Sequence, residues 1–290
     1  MYWQTSRFSI DLGQPKVMGI VNLTPDSFTD GGLYANTRAA LQHCERLLED
    51  GADILDLGAE SSRPGAEPVP AEMELARLLP VLAEAVRLGV PISVDTYKPA
   101  VMQAALDLGA DIINDIWALR WAPASPQAGG LSARQVVALH PACGVCLMHM
   151  HREPKTMQAA PMVGDAVSQV AAFLTAMADA LLGLGVARER IVLDPGIGFG
   201  KSVAQNFSLL ARQRAVGDSG YPVLAGWSRK SSLAALLPAA AGAAADAGPH
   251  PRMVASVAAA VLAVERGASI VRVHDVAETV QALAVLNAIK

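Results

Sequence analysis

Eight short apolar runs recur along the chain, and each ends in a polar residue or a glycine. Their apolar residues are continuous rather than alternating with polar ones, a pattern typical of strands covered on both faces. Parallel sheets contain such strands, because crossover helices cover both faces of the sheet. The runs span residues 17–22, 54–58, 92–95, 112–114, 145–149, 191–194, 223–226 and 270–274.

Stretches rich in Ala and Leu separate these runs and have the period of a helix. Several end at a glycine that directly precedes the next apolar run: Gly51, Gly89, Gly109, Gly185 and Gly267. A glycine at this place supplies the left-handed C-cap with which the chain leaves a helix. The predicted helices span residues 37–50, 71–88, 99–108, 165–184, 204–216, 252–266 and 277–289.

Eight strand–helix units in 290 residues predict an α/β fold, a (β/α)₈ TIM barrel formed by one domain over residues 1–290. The alternative architecture is an open, doubly wound sheet. The Ala-rich segment 236–251 is of low complexity. We interpret it as a flexible connection after the seventh strand and not as a domain boundary.

Composition excludes several classes of protein. With 52% hydrophobic and 17% charged residues, the chain is the reverse of a disordered one. A net charge of −4 with 23 basic residues offers no broad surface for nucleic acid or an anionic membrane. A signal peptide and a long apolar span are both missing, and three cysteines are too few for a disulfide framework. We therefore expect a soluble, cytoplasmic protein that binds neither nucleic acid nor membrane.

In a barrel of this type the active site lies at the carboxyl ends of the strands. Asp95, Asn114 and Asp194 stand there and supply carboxylates and an amide, which suit a flat heterocycle with an amino-pyrimidinone edge. One Asp at a strand end is often only the N-cap of the next helix, but three at matching ends favour a binding site. The other strand ends carry Asn22, Glu60, Ser61, Ser62, Arg63, His149, Ser228, Arg229, Lys230, Arg272 and His274.

Positive charge gathers on the same rim. Arg63, Lys230, Arg272 and His274, with the backbone N–H groups of residues 196–200, predict a phosphate or diphosphate site. We expect Arg229 to be no more than a solvated rim residue. Two familiar nucleotide motifs are excluded, because Pro195 takes the place of the first Walker A glycine and Lys201 that of the last dinucleotide-fingerprint glycine.

Two cysteines and three histidines crowd into residues 140–151 and include a Cys-x-x-Cys spacing, which raises the alternative of a zinc site. Residues three apart on a strand point to opposite faces, so Cys146 and His149 are not expected to converge. We prefer packed cysteines beside a strand end. The group consists of His140, Cys143, Cys146, His149 and His151.

With these residues in hand, the sequence resembles the dihydropteroate synthase family. The resemblance covers essentially the full chain, and the motifs follow the order of the family from the first strand to the last. Ser62 departs from it, since the family often has Thr there. The matching segments are residues 19–32, 58–65, 93–96, 113–116, 148–150, 194–201, 228–231 and 270–275.

The resemblance implies a transferase of folate biosynthesis that joins 6-hydroxymethyl-7,8-dihydropterin diphosphate to 4-aminobenzoate. It implies Mg²⁺ as cofactor, with Asn22 as its ligand, and a homodimer through the outer helices, with residues 254–264 as a close-packing face. Catalytic residues would be Asp30, Arg63, Lys230, Arg272 and His274. The pterin set would be Asp95, Asn114, Ile116, Met148, Asp194, Phe199, Gly226, Lys230 and Arg272. The diphosphate set would be Asn22, Ser62, Arg272 and His274, and the aminobenzoate set Phe28, Ser62, Arg63, Pro64, Phe199, Lys230 and Ser231.

Two alternatives remain open from the sequence. A pterin-binding methyltransferase domain that serves a corrinoid protein would share the barrel and the pterin pocket. It would not need the motif at residues 228–231 or the loop after the first strand. A barrel that only binds pterin, in a regulatory or structural role, is the other alternative, and the complete polar set disfavours it.

Overall fold

The computed structural model describes residues 1–24, 32–61, 65–122, 130–157, 159–236 and 251–289. A two-stranded antiparallel hairpin, β1 (Tyr2–Gln4) and β2 (Ser9–Asp11), precedes eight parallel strands. Each parallel strand lies within one residue of its predicted bounds. They are β3 (Lys16–Asn22), β4 (Ile54–Gly58), β5 (Ile92–Asp95), β6 (Ile112–Asp115), β7 (Gly144–Met148), β8 (Ile191–Asp194), β9 (Leu224–Ala225) and β10 (Ile270–Val273).

The eight strands form a barrel. They pair in the order β8-β7-β6-β5-β4-β3-β10-β9. A parallel bridge between Leu193 and Val223 then joins β8 to β9, and the Leu193 N–H donates to the Pro222 carbonyl at 3.0 Å. Because the two end strands meet, the predicted (β/α)₈ barrel is confirmed and the open sheet is excluded.

Ten helices are present in the described residues, and most of them lie outside the barrel between consecutive strands. A single helix over residues 204–216 was predicted, and this was wrong, because the chain leaves helical geometry at Arg212. The next residue, Gln213, is buried and donates to the Ala263 carbonyl at 2.8 Å. The sequence also missed the two short helices α4 and α8. The helices are α1 (Gly32–Glu49), α2 (Ala71–Ala85), α3 (Pro99–Asp107), α4 (Ala133–Leu139), α5 (Ala166–Leu182), α6 (Val203–Ala211), α7 (Arg214–Gly217), α8 (Ser231–Ala234), α9 (Met253–Glu265) and α10 (Val276–Asn287).

The glycine joints have the backbone geometry that was predicted for them. Gly51, Gly89, Gly109, Gly185 and Gly267 all have φ between +77° and +103°. Side chains with a Cβ disfavour this left-handed region, so glycine ends the helix there at little cost.

The hairpin of β1 and β2, which the sequence analysis did not predict, closes the amino-terminal end of the barrel. Trp3 is fully buried and packs with the inward-facing side chains of Met18, Ile54 and Ile112. Its indole N–H donates to the Arg190 carbonyl at 3.0 Å. This end of the barrel interior is therefore apolar, and the polar interior residues lie toward the opposite end.

The cysteines and histidines around β7 do not converge on a metal. Cys143 packs in the core between the sheet and the helices, whereas Cys146 packs inside the barrel. His149 lies edge-on against Phe173 on α5, with 5.0 Å between ring centroids. In the described part of the chain no group of three or more His, Cys, Asp or Glu could hold a metal ion. None of the helices described is long and apolar enough to cross a membrane.

Candidate active site

The carboxyl end of the barrel carries a layer of polar, mostly charged side chains that point inward from five strands: β4, β5, β6, β8 and β10. Strand alternation dictates this direction, because each of these residues is two positions beyond an interior residue of its strand. Asp95 on β5 and Asn114 on β6 are partners in register, as are Met148 on β7 and Asp194 on β8. The structure therefore brings together the three strand-end residues that the sequence analysis selected for a flat heterocycle.

Arg272 on β10 lies at the centre of this layer. Its Nε donates to Asp56 Oδ2 at 2.6 Å, and its Nη2 donates to Asp95 Oδ2 at 2.8 Å. Burial lowers the pKa of Arg272, but the carboxylates of Asp56 and Asp95 raise it by more, so the net shift is upward. Two carboxylates thus hold the guanidinium by its edge, which leaves its flat face available to a planar ring.

Asp56 is a member of this layer that the sequence analysis missed. It lies inside β4, is fully buried, and also accepts from Asn114 Nδ2 at 3.3 Å. Asp56 accepts one N–H of the Asn114 amide, so the amide oxygen and the second N–H of Asn114 remain for a ligand. The signal in the sequence is a charged residue within an otherwise apolar run, whereas the prediction was based on the residues that end the runs.

Burial shifts the protonation of the carboxylates. It raises the pKa of Asp95 to about 7 despite the opposing effect of Arg272, and the nearby carboxylate of Asp56 adds to the rise. Burial also raises the pKa of Asp194, although the Gly196 N–H donates to its Oδ1 at 2.7 Å. Shifts of this kind are typical of functional sites, where carboxylates are held close together and away from water.

Lys230 follows β9, the strand that pairs with β10, which carries Arg272. Its ammonium is 4.3 Å from the centroid of the Phe199 ring. Burial and, to a smaller extent, the positive charge of Arg272 together lower the pKa of Lys230 to about 8. Gly226 stands beside Asp194, where an added Cβ would come within 4.0 Å of Asp194 Oδ2.

An apolar cluster borders the charged layer. Three of its members, Ile116, Met148 and Phe199, belong to the predicted pterin set, and the buried Met150 and Met157 complete it. Apolar walls beside a few directed polar groups are the usual lining of a small-molecule site. The structure therefore joins the apolar and the polar residues of the predicted pterin set.

Two rim residues of the predicted diphosphate set lie on neighbouring strands. Asn22 ends β3, half-buried, and His274 follows β10, which pairs with β3. Ser228 contacts His274 twice: its Oγ lies 2.9 Å from Nδ1 and accepts from the His274 backbone N–H at 3.1 Å. The expectation that Arg229 is merely solvated was wrong, because its Nη2 pairs with Asp275 Oδ1 at 2.6 Å.

Five residues of the predicted catalytic and substrate-binding sets lie outside the described residues. Phe28 and Asp30 fall within residues 25–31, and Ser62, Arg63 and Pro64 within residues 62–64. Their assignments remain predictions. Ser231 is described and begins α8 with an exposed side chain.

A second buried ionic group lies beside the layer and was also missed by the sequence analysis. The ammonium of Lys98 pairs with Glu60 and, at 2.6 Å, with Glu74 Oε2, and the Tyr97 hydroxyl donates to Glu60 Oε1 at 2.7 Å. A cavity of about 310 Å³ borders this group. Its lining includes Asp95 and Ile116, so the cavity flanks the predicted pterin residues.

Hydrogen bonds from the Lys201 side chain hold the loop after β8 in place. The Lys201 ammonium is buried and donates to three backbone carbonyls: Gly196 at 2.7 Å, and His149 and Phe199 at 3.2 Å each. Burial lowers the pKa of Lys201 to about 7. This lysine ties the segment that follows β7 to the loop that carries Phe199.

Gly196 permits this close approach, and replacing it by Ala is expected to destabilise the fold strongly. Its φ is +67°, and an added Cβ would overlap the backbone carbonyl oxygen of His149. Gly185 is the matched control, with φ of +84° and nothing within 4 Å of an added Cβ. Urea unfolding should show a loss of about 1–2 kcal/mol for Gly185→Ala and a clearly larger loss for Gly196→Ala. Equal losses would show that the contact with His149 is unimportant.

Comparison with known proteins gives a consistent result. The model of the pterin binding enzyme family matches residues 18–274. The dihydropteroate synthase of Neisseria meningitidis serogroup B is 48% identical over 292 residues, covering 99% of this chain and 97% of that protein. The crystal structure of Burkholderia cenocepacia dihydropteroate synthase complexed with 7,8-dihydropteroate has a TM-score of 0.82 at 49% identity and covers 99% of this chain and 96% of that one. Xanthomonas albilineans dihydropteroate synthase with 4-aminobenzoic acid has a TM-score of 0.84 at 44% identity, covering 100% and 98%.

Proposed function

The chain belongs to the dihydropteroate synthases of the pterin-binding enzyme family, and from this premise we propose how its residues carry out the reaction. It is a transferase of folate biosynthesis. The reaction condenses 6-hydroxymethyl-7,8-dihydropterin diphosphate with 4-aminobenzoate to give 7,8-dihydropteroate and pyrophosphate. The observation that carries the proposal is the convergence of charged and apolar pterin residues at one barrel mouth.

The pterin is proposed to bind in this layer, against the apolar cluster. Asp194 would accept the N–H groups of the amino-pyrimidinone edge, and Asn114 would accept through the amide oxygen that Asp56 leaves available. Asp95 would accept at another ring position, and Lys230 would donate to the ring. Arg272, held edge-on by two carboxylates, would cover the face of the ring.

Mg²⁺ is proposed to accompany the diphosphate, with the Asn22 amide oxygen as its protein ligand. Asn22 ends β3 beside β10, the strand that carries Arg272. A single oxygen ligand fits Mg²⁺, which keeps several waters and binds through substrate phosphates rather than through a dedicated protein cage. When bound, Mg²⁺ would neutralise charge that develops on the diphosphate.

Departure of the diphosphate is proposed to come first. The bond between the exocyclic methylene and the diphosphate oxygen breaks, its electron pair leaves with that oxygen, and the electron-rich dihydropterin carries the cation. Arg272 and His274, with Ser62 of the predicted set, would stabilise charge on the leaving oxygens. Asp95 would stabilise the cation through its negative charge.

The aminobenzoate amine then forms the bond to the methylene cation with its own electron pair and passes its excess proton to water. The nucleophile is thus the substrate amine, and the reaction requires no protein nucleophile. Its ring is proposed to lie beside Phe199, with Lys230 and Ser231 on one side. Lys230 already stands over Phe199, which places a cation next to an aromatic wall. Phe28, Asp30, Arg63 and Pro64 are proposed to complete this subsite.

Pyrophosphate release tests the proposal. The purified protein should release pyrophosphate only when dihydropterin diphosphate and 4-aminobenzoate are both present, and the rate should rise as Mg²⁺ is titrated. A sulfonamide should compete with 4-aminobenzoate and not with the pterin. Absence of release with both substrates and Mg²⁺ present would refute the proposed reaction.

Replacing His274 by Ala is expected to slow turnover while leaving pterin binding nearly intact. His274 lies at the proposed leaving group, and removing one stabilising donor at a developing charge costs about 10²–10³ in kcat. Steady-state kinetics should show this loss in kcat, with little change in KM for the pterin substrate. A variant that loses pterin affinity instead would place His274 in the pterin subsite.

The chain is proposed to form a homodimer through its outer helices, with residues 254–264 in the contact. In support, α9 and α10 pack side by side and expose apolar side chains, among them Val254 at 76% and Val285 at 69% exposure. Sedimentation equilibrium should give the mass of two chains, and the mass of one chain would contradict the proposal.

We propose that the protein acts in the cytoplasm. All three of its cysteines, Cys44, Cys143 and Cys146, are buried and unpaired, as expected in a reducing compartment. Fractionation of cells that express the full chain would test this localisation.

A further inference from the structure

Asn206, near the start of α6, contacts both of the described segments that carry residues of the proposed aminobenzoate subsite. It is buried, at 1% exposure. Its Oδ1 accepts from the Gly198 N–H at 2.9 Å. Its Nδ2 donates to Ser232 Oγ at 2.9 Å and, at 3.4 Å, to the Lys201 carbonyl. One amide therefore joins the loop after β8 to helix α8.

In the loop after β8, the contacts of Asn206 lie on both sides of Phe199. Gly198 comes directly before Phe199 in the chain, and Lys201 comes two residues after it. The Lys201 ammonium in turn donates to the Phe199 carbonyl at 3.2 Å. The backbone that carries the Phe199 ring is therefore held on both sides by residues that Asn206 contacts.

Helix α6 also holds both ends of the segment of residues 227–232. Asn206 contacts Ser232 at one end. At the other end the ring of Phe207, the next residue of α6, packs against the ring of Trp227, with 5.4 Å between centroids. Two residues assigned above to the aminobenzoate subsite lie between these contacts: Lys230 and Ser231.

The two segments approach each other closely at the barrel mouth. The Lys230 ammonium is 4.3 Å from the centroid of the Phe199 ring, and a Cβ added to Gly198 would come within 3.4 Å of Lys230 Cδ. A substrate ring that lies beside Phe199 with Lys230 on one side is contacted by both segments. Because dispersion contacts weaken steeply with distance, such a ring binds well only if the two segments keep a fixed separation.

We propose that Asn206 is a positioning residue for the aminobenzoate subsite: its amide sets where Phe199 lies relative to Lys230 and Ser231. This inference rests on the proposed function and adds a residue that contacts neither substrate in that proposal. Buried amide hydrogen bonds replace hydrogen bonds to water, so their net effect on stability is modest, whereas they fix geometry closely. Small displacements of positioning groups cost catalysis steeply.

Replacing Asn206 by Ala tests the proposal, because it removes all three hydrogen bonds of the side chain. The KM for 4-aminobenzoate should rise about tenfold. The KM for dihydropterin diphosphate should change less than about twofold, because most of its proposed polar ligands are held by the barrel strands and not by α6. An equal rise in both KM values, or no rise in either, would overturn the proposal.

Gln213→Ala is the matched control. Gln213 is also a buried amide, at 2% exposure, and its Nε2 donates to the Ala263 carbonyl on α9 at 2.8 Å. In urea unfolding this variant should lose stability much as Asn206→Ala does, since each loses a buried amide. Its KM for 4-aminobenzoate should stay within about twofold of the wild-type value. A rise as large as that of Asn206→Ala would show a merely structural effect and overturn the proposal.

Ser232→Ala breaks the same link from α8 and leaves Asn206 in place. It should raise the KM for 4-aminobenzoate by less than Asn206→Ala does. Added to Asn206→Ala, it should raise that KM little further, because the link is already broken. Independent, multiplicative effects of the two substitutions would overturn the proposal. If Asn206→Ala does not fold, Ser232→Ala carries the test, and an unchanged KM in this variant would refute the role of Asn206.

The wild-type assay separates this inference from the proposed function. No product from the wild type with both substrates and Mg²⁺ present refutes the proposed function itself. An active wild type whose KM for 4-aminobenzoate is unchanged by Asn206→Ala refutes only the role of Asn206.

Discussion

Replacing Asp95 by Asn is expected to weaken binding of dihydropterin diphosphate by roughly 10- to 100-fold. Asp95 is proposed to accept from the pterin, and a hydrogen bond to a charged acceptor is worth about 1.5–3 kcal/mol. The substitution preserves volume but removes the charge that also faces Arg272 Nη2 at 2.8 Å. Titration calorimetry with the pterin substrate measures the loss directly, and Asp95→Ala should lose at least as much.

The pH dependence of binding gives an independent check. Because burial raises the pKa of Asp95 to about 7, its ionised fraction grows as pH rises through about 7. Affinity of the wild type for the pterin should therefore increase with pH across this range, and that increase should be smaller in Asp95→Asn, in which only Asp194, whose pKa burial also raises, still ionises among the proposed pterin acceptors. Equal affinities of variant and wild type at every pH would remove Asp95 from the pterin subsite.

Replacing Arg272 by Met is expected to abolish measurable synthase activity and to lower the free energy of unfolding by about 3–5 kcal/mol. The stability loss follows because Asp56, fully buried, and Asp95 would lose the cation they share. The activity loss follows because Arg272 is proposed both to cover the pterin and to stabilise the leaving group. Urea unfolding and pyrophosphate release measure the two effects separately.

The double variant Asp56→Asn/Arg272→Met is the control for this prediction. It removes one of the two carboxylates that lose their ion-pair partner in Arg272→Met, so it should regain part of the stability while remaining inactive. Arg272→Lys should also be strongly impaired, since an ammonium cannot reproduce the fork that reaches Asp56 and Asp95 at once. Near wild-type kcat/KM in Arg272→Met would contradict the role assigned to this residue.

The barrel could be predicted from sequence because its signals are local. A strand such as Ile191–Asp194 is recognised by its continuous apolar run before a polar last residue, and a glycine such as Gly109, with φ of +103°, marks the exit from a helix. Where the local signal is weak, the prediction failed. Helix α8 is only four residues long. Helix α6 ends near Gln213, whose hydrogen-bond partner Ala263 on α9 is 50 residues away in the chain.

The polar layer could be predicted only in part, because its energetics depend on partners far apart in sequence. Asp95 and Asp194 were found since both end strands, where side chains face the barrel mouth. Asp56 was missed since its partner Arg272 is 216 residues away. Lys98 was missed for the same reason, as nothing near it in the chain indicates that it joins Glu60 to Glu74.

The layer also explains how an acidic protein can hold a diphosphate. The net charge is −4, and two carboxylates already pair with Arg272. The positive charge that can face a diphosphate is therefore limited to a few groups at the barrel mouth. In a site shielded from water, each of these charges acts over short distances with little screening. The binding of an anionic substrate therefore depends on few residues, which is why single substitutions are expected to have large effects.

The most direct test of the account is the stoichiometry of the wild-type reaction, measured by quantifying 7,8-dihydropteroate and pyrophosphate from the same incubation with both substrates. We expect the two products in equal amounts, with neither formed when 4-aminobenzoate is omitted. Pyrophosphate without 7,8-dihydropteroate, or neither product, would contradict the assignment of this barrel mouth as a site that joins pterin to aminobenzoate.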